Sequence, residues 1–136
     1  MKVVIIEDER DLGVLMRNFL VKQLNIKDPE TAIKVAGSLG EGIDCIRQLR
    51  PDWIFIDNNL PDGKGISQIQ HIKDIHRDKK MFIVTMSAMT NLKDEAFKNG
   101  ADYFLDKPIS FVEVKNIISK NKDLPIVWLQ GYALKE

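Results

Sequence analysis

Short apolar runs alternate with segments of helical period along this chain, and that alternation restricts the folds open to it more than any other feature. Val3-Val4-Ile5-Ile6, Trp53-Ile54-Phe55-Ile56 and Tyr103-Phe104-Leu105 read as buried strands. A strand covered on both faces is apolar at successive positions, not at every second one. Ala32 to Ala36 and Met81 to Met86 supply two more. Between them, Leu12, Leu15, Met16, Phe19 and Leu20 recur at helical spacing. So do Ile43, Ile46 and Leu49, then Ile66, Ile69, Ile72 and Ile75 or His76, and finally Val114, Ile117 and Ile118. A weaker helix spans Leu92 to Lys98 and stops at Asn99-Gly100. Ser38 with Glu41, and Ser110 with Glu113, are capping boxes. Pro51 ends the second helix. Such alternation predicts an α/β fold, a parallel sheet with helices on both faces.

Charge follows three of the runs. Glu7-Asp8 comes after the first, Asp57 after the third and Lys107-Pro108 after the last. In a parallel sheet the C-terminal strand ends share one edge, where sites form. Three carboxylates and one ammonium therefore converge. Packed acids repel unless a cation sits among them. The cluster suits a divalent metal beside a nucleophilic carboxylate, with the lysine placed for an anion.

Composition narrows the function classes. Twenty basic and twenty acidic residues cancel, which gives no support for electrostatic binding of nucleic acid. No apolar stretch is long enough to span a bilayer. Acid at Glu7 comes too early for a signal peptide. The single cysteine, Cys45, excludes an internal disulfide, fits a reducing cytoplasm, and sits among Ile43, Ile46 and Leu49 as a buried structural thiol. His71 and His76 are spaced i, i+5, off a common helical face, and read as surface or boundary residues. Glu9 and Asp11 read as solvated loop starts or helix caps, and Asp62 and Lys64 as turn and surface residues.

These pieces, in this order, resemble the receiver domain of two-component response regulators over residues 1–120. Glu7-Asp8, Asp57, Leu60-Pro61 with Gly65, Ser87-Ala88, Gly100-Ala101-Asp102-Tyr103 and Lys107-Pro108 carry the resemblance. It implies a flavodoxin-like, doubly wound, five-stranded sheet of order 2-1-3-4-5 with five helices. It also implies phosphoryl transfer from a histidine to Asp57, on a sensor histidine kinase or a histidine phosphotransfer protein. Glu7, Asp8, a carboxylate oxygen of Asp57 and the backbone carbonyl of Asn59 would hold Mg²⁺. Lys107, expected on a cis bond to Pro108, would pair with a phosphoryl oxygen, and the Ser87 hydroxyl would donate to another. Ser87 and Phe104 would form the switch. The output would be a protein target or homodimer, met through the fourth helix, fifth strand and fifth helix. Residues 121–136, with Pro125-Ile126-Val127-Trp128-Leu129, would be an extension that packs on the domain or docks a partner.

Some positions depart from the family. Glu7 stands where aspartate is usual and Ser87 where threonine is common. Phe104 lacks the phenol of tyrosine. The segment from Ser87 to Gly100 is short by about half a helical turn, which alters the fourth helix. Three rival functions remain open at this stage. A metal-dependent phosphohydrolase would place a general acid two residues after its nucleophile, where this chain has Asn59. A flavin or nucleotide module would need a Gly- or Ser/Thr-rich phosphate loop, where Glu7-Asp8-Glu9 repel phosphate. A pseudo-receiver that binds partners without phosphorylation would normally have lost a key residue, and none is lost here.

Overall fold

Val3–Ile6 forms β1 with all its residues buried, as a strand covered on both faces requires. The computed structural model describes the backbone of residues 1–130 and the side chains through Asn121. After β1 come α1 (Arg10–Gln23), α2 (Pro29–Ala32), β2 (Ile33–Ala36), α3 (Leu39–Leu49) and β3 (Trp53–Asp57). A hairpin of β4 (Asn59–Leu60) and β5 (Gly63–Lys64) follows, then α4 (Ile69–Ile75), β6 (Phe82–Ser87), α5 (Lys93–Lys98), β7 (Tyr103–Asp106) and α6 (Phe111–Gln130). The main sheet is parallel, in the order β2-β1-β3-β6-β7. Numbered among its own strands alone, this is the expected 2-1-3-4-5 order.

The described residues hold six α-helices, not five. The addition is α2, a single turn opened by Pro29, whose fixed φ suits a first helical position. One turn is too short to show an apolar period, so pattern alone misses it. The third expected helix also changes form. Gly65–Gln68 is a 3-10 turn, and α-helix begins only at Ile69. Asn58 caps this turn, its carbonyl accepting from Gly65 N–H at 2.9 Å and its Oδ1 from Ile66 N–H at 3.0 Å. Leu15, expected on the apolar face of α1, is 56% exposed, while Met16 and Leu20 take the buried stripe.

The pleat sends alternate side chains to two cores. On one face Val4, Ile6, Ile54, Ile56 and Ile83 meet Ile46 of α3 and Ile69 and Ile72 of α4. On the other, Ile5, Phe55, Val84 and Leu105 meet Met16 and Leu20 of α1 and Val114 and Ile118 of α6. Each such side chain contributes about 1.5–3 kcal/mol through burial. The helix ends follow local chemistry. Ser38 Oγ accepts from Glu41 N–H at 3.2 Å, the first half of the expected box, while Glu41 Oε1 accepts at 2.8 Å from Gly37 N–H, one residue before the cap. Gly100, at φ 106°, ends α5, with Gly100 N–H donating to Phe97 and Ala101 N–H to Ala96. α5 itself has six residues, in keeping with the short segment. α6 runs past residue 120 to Gln130. The Trp128 side chain, residues 131–136 and the docking role expected of them lie outside the described residues.

Candidate functional site

Parallel register brings the strand ends together. Ile6 pairs with Ile56, Asp57 with Met86, and Ser87 with Asp106. Asp57 closes β3, Glu7 and Asp8 follow β1, Ser87 closes β6 and Lys107 follows β7. All five line one cleft of about 420 Å³, joined by Asn59 and Met89. Six of the seven expected site residues therefore meet. Phe104 does not line the cleft. It is half-buried on the sheet face that packs on α3, α4 and α5.

The charges are unevenly matched. Lys107 Nζ lies 2.8 Å from Glu7 Oε1 and 3.2 Å from Asp57 Oδ1. The side chains of Glu7 and Asp57 are 1% and 5% exposed. One ammonium thus serves two buried carboxylates, with Asp8 exposed beside them. Burial pushes the Glu7 carboxyl up, and the Asp57 charge adds to this. The hydrogen bonds from Lys107 and from Glu9 N–H, the latter at 3.0 Å, oppose the rise without cancelling it. For Lys107, burial favours the neutral amine, but its bond to Glu7 and the charge of Asp57 outweigh burial and hold it above the ordinary lysine value. Carboxylate oxygens of Glu7, Asp8 and Asp57 lie within 4.8 Å of one another. Three hard oxygen donors with excess negative charge, open to a cleft, fit a small divalent cation such as Mg²⁺.

The remaining expected residues are placed by local bonding. Ser87 Oγ accepts from Met89 N–H at 3.0 Å, which leaves its own proton to donate into the cleft. The Lys107–Pro108 bond is cis. Gly65 is required by a close approach, since a Cβ there would sit 2.4 Å from the Asp57 carbonyl oxygen. Glu9 opens α1 without a side-chain cap bond and lines the cleft instead. His71 is exposed, and His76 bonds the Ile46 carbonyl at 2.8 Å, away from the strand ends. Cys45 is half-buried against the core, and burial raises its thiol pKa, so it is poorly reactive.

Three residues carry more than the sequence suggested. Asn58, buried, brackets the loop after Asp57 through both its carbonyl and its side chain. Asp62 is not a plain turn residue. Its carboxylate accepts from Leu39 N–H at 2.8 Å and Gly40 N–H at 3.0 Å, capping α3 from the hairpin. Lys64 is not a plain surface residue, because it lines the cleft and donates to Asn59 Oδ1 at 2.8 Å. The only sequence signal for either was the Pro61-Asp62-Gly63 turn, which predicts a reversal but not its contacts.

Comparison with known proteins agrees with this geometry. The family model described as response regulator receiver domain matches residues 3–119. The transcriptional regulatory protein CitB of Klebsiella pneumoniae is 30% identical over 117 residues, covering 85% of this chain and 48% of CitB. The chain thus spans about half the length of that curated relative. Among solved structures, the signal receiver domain of a DNA binding response regulator from Colwellia psychrerythraea 34H superposes with a TM-score of 0.79 at 21% identity, covering 90% of this chain and 98% of that one. The receiver domain of Ssk1, solved with the Saccharomyces cerevisiae histidine phosphotransfer protein Ypd1, gives 0.74 at 22% identity, covering 88% and 86%. With the sheet order, the acid cluster and the lysine at one edge, the chain belongs to the response regulator receiver domain family.

Proposed function

We propose that Asp57 accepts a phosphoryl group from a phosphohistidine, with Mg²⁺ held by Glu7, Asp8, Asp57 and the Asn59 carbonyl. The observation that carries this reading is the three-carboxylate cluster with Lys107 between Glu7 and Asp57. In the transfer, an Asp57 carboxylate oxygen forms a bond to phosphorus as the histidine nitrogen–phosphorus bond breaks, and the imidazole leaves with its electron pair. Bound Mg²⁺ supplies positive charge that offsets the repulsion between carboxylate and phosphoryl oxygens. Lys107 supplies a fixed point charge for one phosphoryl oxygen. Ser87 donates its hydroxyl proton to another. Asn59 stands where a phosphohydrolase would carry its general acid, and an amide neither gives up nor takes a proton, which favours a lasting phosphoryl group over turnover.

The donor is a sensor histidine kinase or a histidine phosphotransfer protein, as the pairing of Ssk1 with Ypd1 suggests. Movement of Ser87 toward the phosphoryl group opens space on the face that carries Phe104. Thr85 lies opposite Phe104 in the β6–β7 register, and its buried hydroxyl has no hydrogen-bond partner among the described residues. No polar bond there pins the layer, so Phe104 can repack. The surface of α5, β7 and α6 is the output, toward a protein target or a second copy. Residues 1–120 form the receiver, 121–136 extend it, and the cytoplasm is its place of action. Incubation with acetyl phosphate and Mg²⁺, followed by intact-mass measurement, should give one phosphate adduct. An adduct that persists in Asp57→Ala, or forms equally in chelator, rules the reading out.

A further inference from the structure

Lys64 comes from neither a strand end of the main sheet nor a neighbour of one, yet it lines the same cleft as Asp57. Its placement is built into the hairpin. β4 and β5 pair antiparallel with Asn59 opposite Lys64, which sets the lysine beside the residue two positions beyond Asp57. The hairpin tip is tied to the first turn of α3 by the two Asp62 bonds at 2.8 and 3.0 Å. Those bonds, from Gly40 N–H and Leu39 N–H, hold the Asp62 carboxyl below the usual aspartate value. Gly63, at φ 151°, supplies the backbone that the reversal needs. At the hairpin base, the bond from Gly65 N–H to the Asn58 carbonyl fixes the return.

Lys64 is also uncommitted in charge. Its ammonium donates to a neutral amide oxygen and makes no ion pair among the described residues. Lys107 is already held by two carboxylates. The cleft wall carries Glu7, Asp8, Glu9 and Asp57 against these two ammoniums. An entering phosphoryl group therefore meets one cation engaged by carboxylates and one that can exchange a neutral acceptor for a charged one. A charge-assisted bond is about twice as strong as a neutral one.

We propose that Lys64 is a second anion-binding residue of this site, leaving Asn59 Oδ1 to bind an oxygen of the phosphoryl group on Asp57. The inference rests on the reading of Asp57 as phosphoacceptor. Lys64 faces a non-reacting oxygen, so it binds and positions the group, and makes or breaks no bond itself.

Calorimetric titration tests this with two probes: Mg²⁺ alone, then beryllofluoride, a phosphoryl mimic, in saturating Mg²⁺. Lys64→Met should weaken beryllofluoride binding roughly three- to tenfold. The same variant should bind Mg²⁺ alone as well as wild type, or up to about twofold tighter, because one positive charge has left the cleft. Lys64→Arg should stay within about twofold of wild type for both probes. Loss of beryllofluoride affinity without loss of Mg²⁺ affinity is the discriminating result, since a merely structural lysine would weaken both probes together. Unchanged beryllofluoride affinity in Lys64→Met, or parallel loss of both ligands, overturns the proposal. If wild type itself fails to take beryllofluoride with Mg²⁺, the phosphoacceptor reading falls and Lys64 with it. If wild type binds and Lys64→Met matches it, only the role of Lys64 falls.

Discussion

Glu7→Gln should stabilise the metal-free protein and remove most of its thermal response to Mg²⁺. Glu7 is 1% exposed and shares Lys107 with Asp57. With an effective dielectric constant of about 20, its attraction to Lys107 Nζ over 2.8 Å is about 6 kcal/mol. Its repulsion from an Asp57 oxygen, at no more than 4.8 Å, is at least about 3.5 kcal/mol. The net attraction, at most about 2.5 kcal/mol, is smaller than the several kcal/mol needed to desolvate a carboxylate this buried. Burial wins, which is why the Glu7 carboxyl is raised from its ordinary 4.5, with burial as the largest cause. The sign follows. A raised folded pKa means that ionised Glu7 costs stability at every pH above the folded value. That penalty fades as pH falls toward 4.5.

Glutamine removes this charge, keeps an acceptor for Lys107, and weakens one hydrogen bond by about 1 kcal/mol. The expected net gain is about 1 kcal/mol, or about 3 °C in melting temperature for a chain of 136 residues. Mg²⁺ at about ten times its Kd adds about 1.4 kcal/mol to wild type. The variant, short of one carboxylate ligand, gains much less. Scanning calorimetry should therefore show the variant melting higher in chelator and the order reversing in excess Mg²⁺. An equal Mg²⁺ response in both proteins, or a lower melting temperature for the variant in chelator, would refute the charge argument.

Met89, exposed at the cleft, offers no hydrogen bond to a water approaching the phosphoryl group. Met89→Glu should speed phosphoryl loss by about an order of magnitude, less than the roughly 10²–10⁴-fold of a fully positioned general base. Decay followed by intact mass checks this, and equal or slower loss in the variant contradicts it. Asp52 anchors the opposite edge of the sheet, accepting from Lys79 Nζ at 2.7 Å and Lys2 N–H at 2.8 Å. Burial alone would raise its pKa, but the Lys79 bond, the Lys2 bond and nearby positive charge win and hold it below 3.8. Its stabilisation is therefore present above pH 3.8 and lost as pH falls through the depressed folded value. Asp52→Asn should lower stability by up to about 1 kcal/mol at neutral pH, the group being a third exposed. Urea midpoints of the two proteins should converge in acid, and a gap that widens there would contradict the assignment.

The amino-acid sequence by itself determined the sheet and the heart of the site. Runs such as Val3–Ile6 and Trp53–Asp57 are apolar at successive positions because both faces are covered, so their strand character is a local property, and their alternation with helical segments along the chain implies the parallel arrangement. Acid or lysine at the end of such a run must sit at the C-terminal edge of the sheet, which is enough to bring Glu7, Asp57 and Lys107 together. The capping boxes and the Gly100 stop were legible for the same reason, since their partners lie within a few residues. The tertiary structure decided whatever depends on partners far apart in sequence or on a turn too short for a period. The single turn of α2 shows no apolar repeat. Leu15 lies off the buried stripe of α1, which Met16 and Leu20 fill against the sheet. The 3-10 turn before α4 is capped by Asn58, seven and eight residues back along the chain, a contact that no periodicity announces. Asp62 reaches α3 across 22 and 23 residues, and in doing so anchors the hairpin that carries Lys64 into the cleft. A turn motif announces that a chain reverses, but the direction in which its side chains then point is set by the surfaces it folds against.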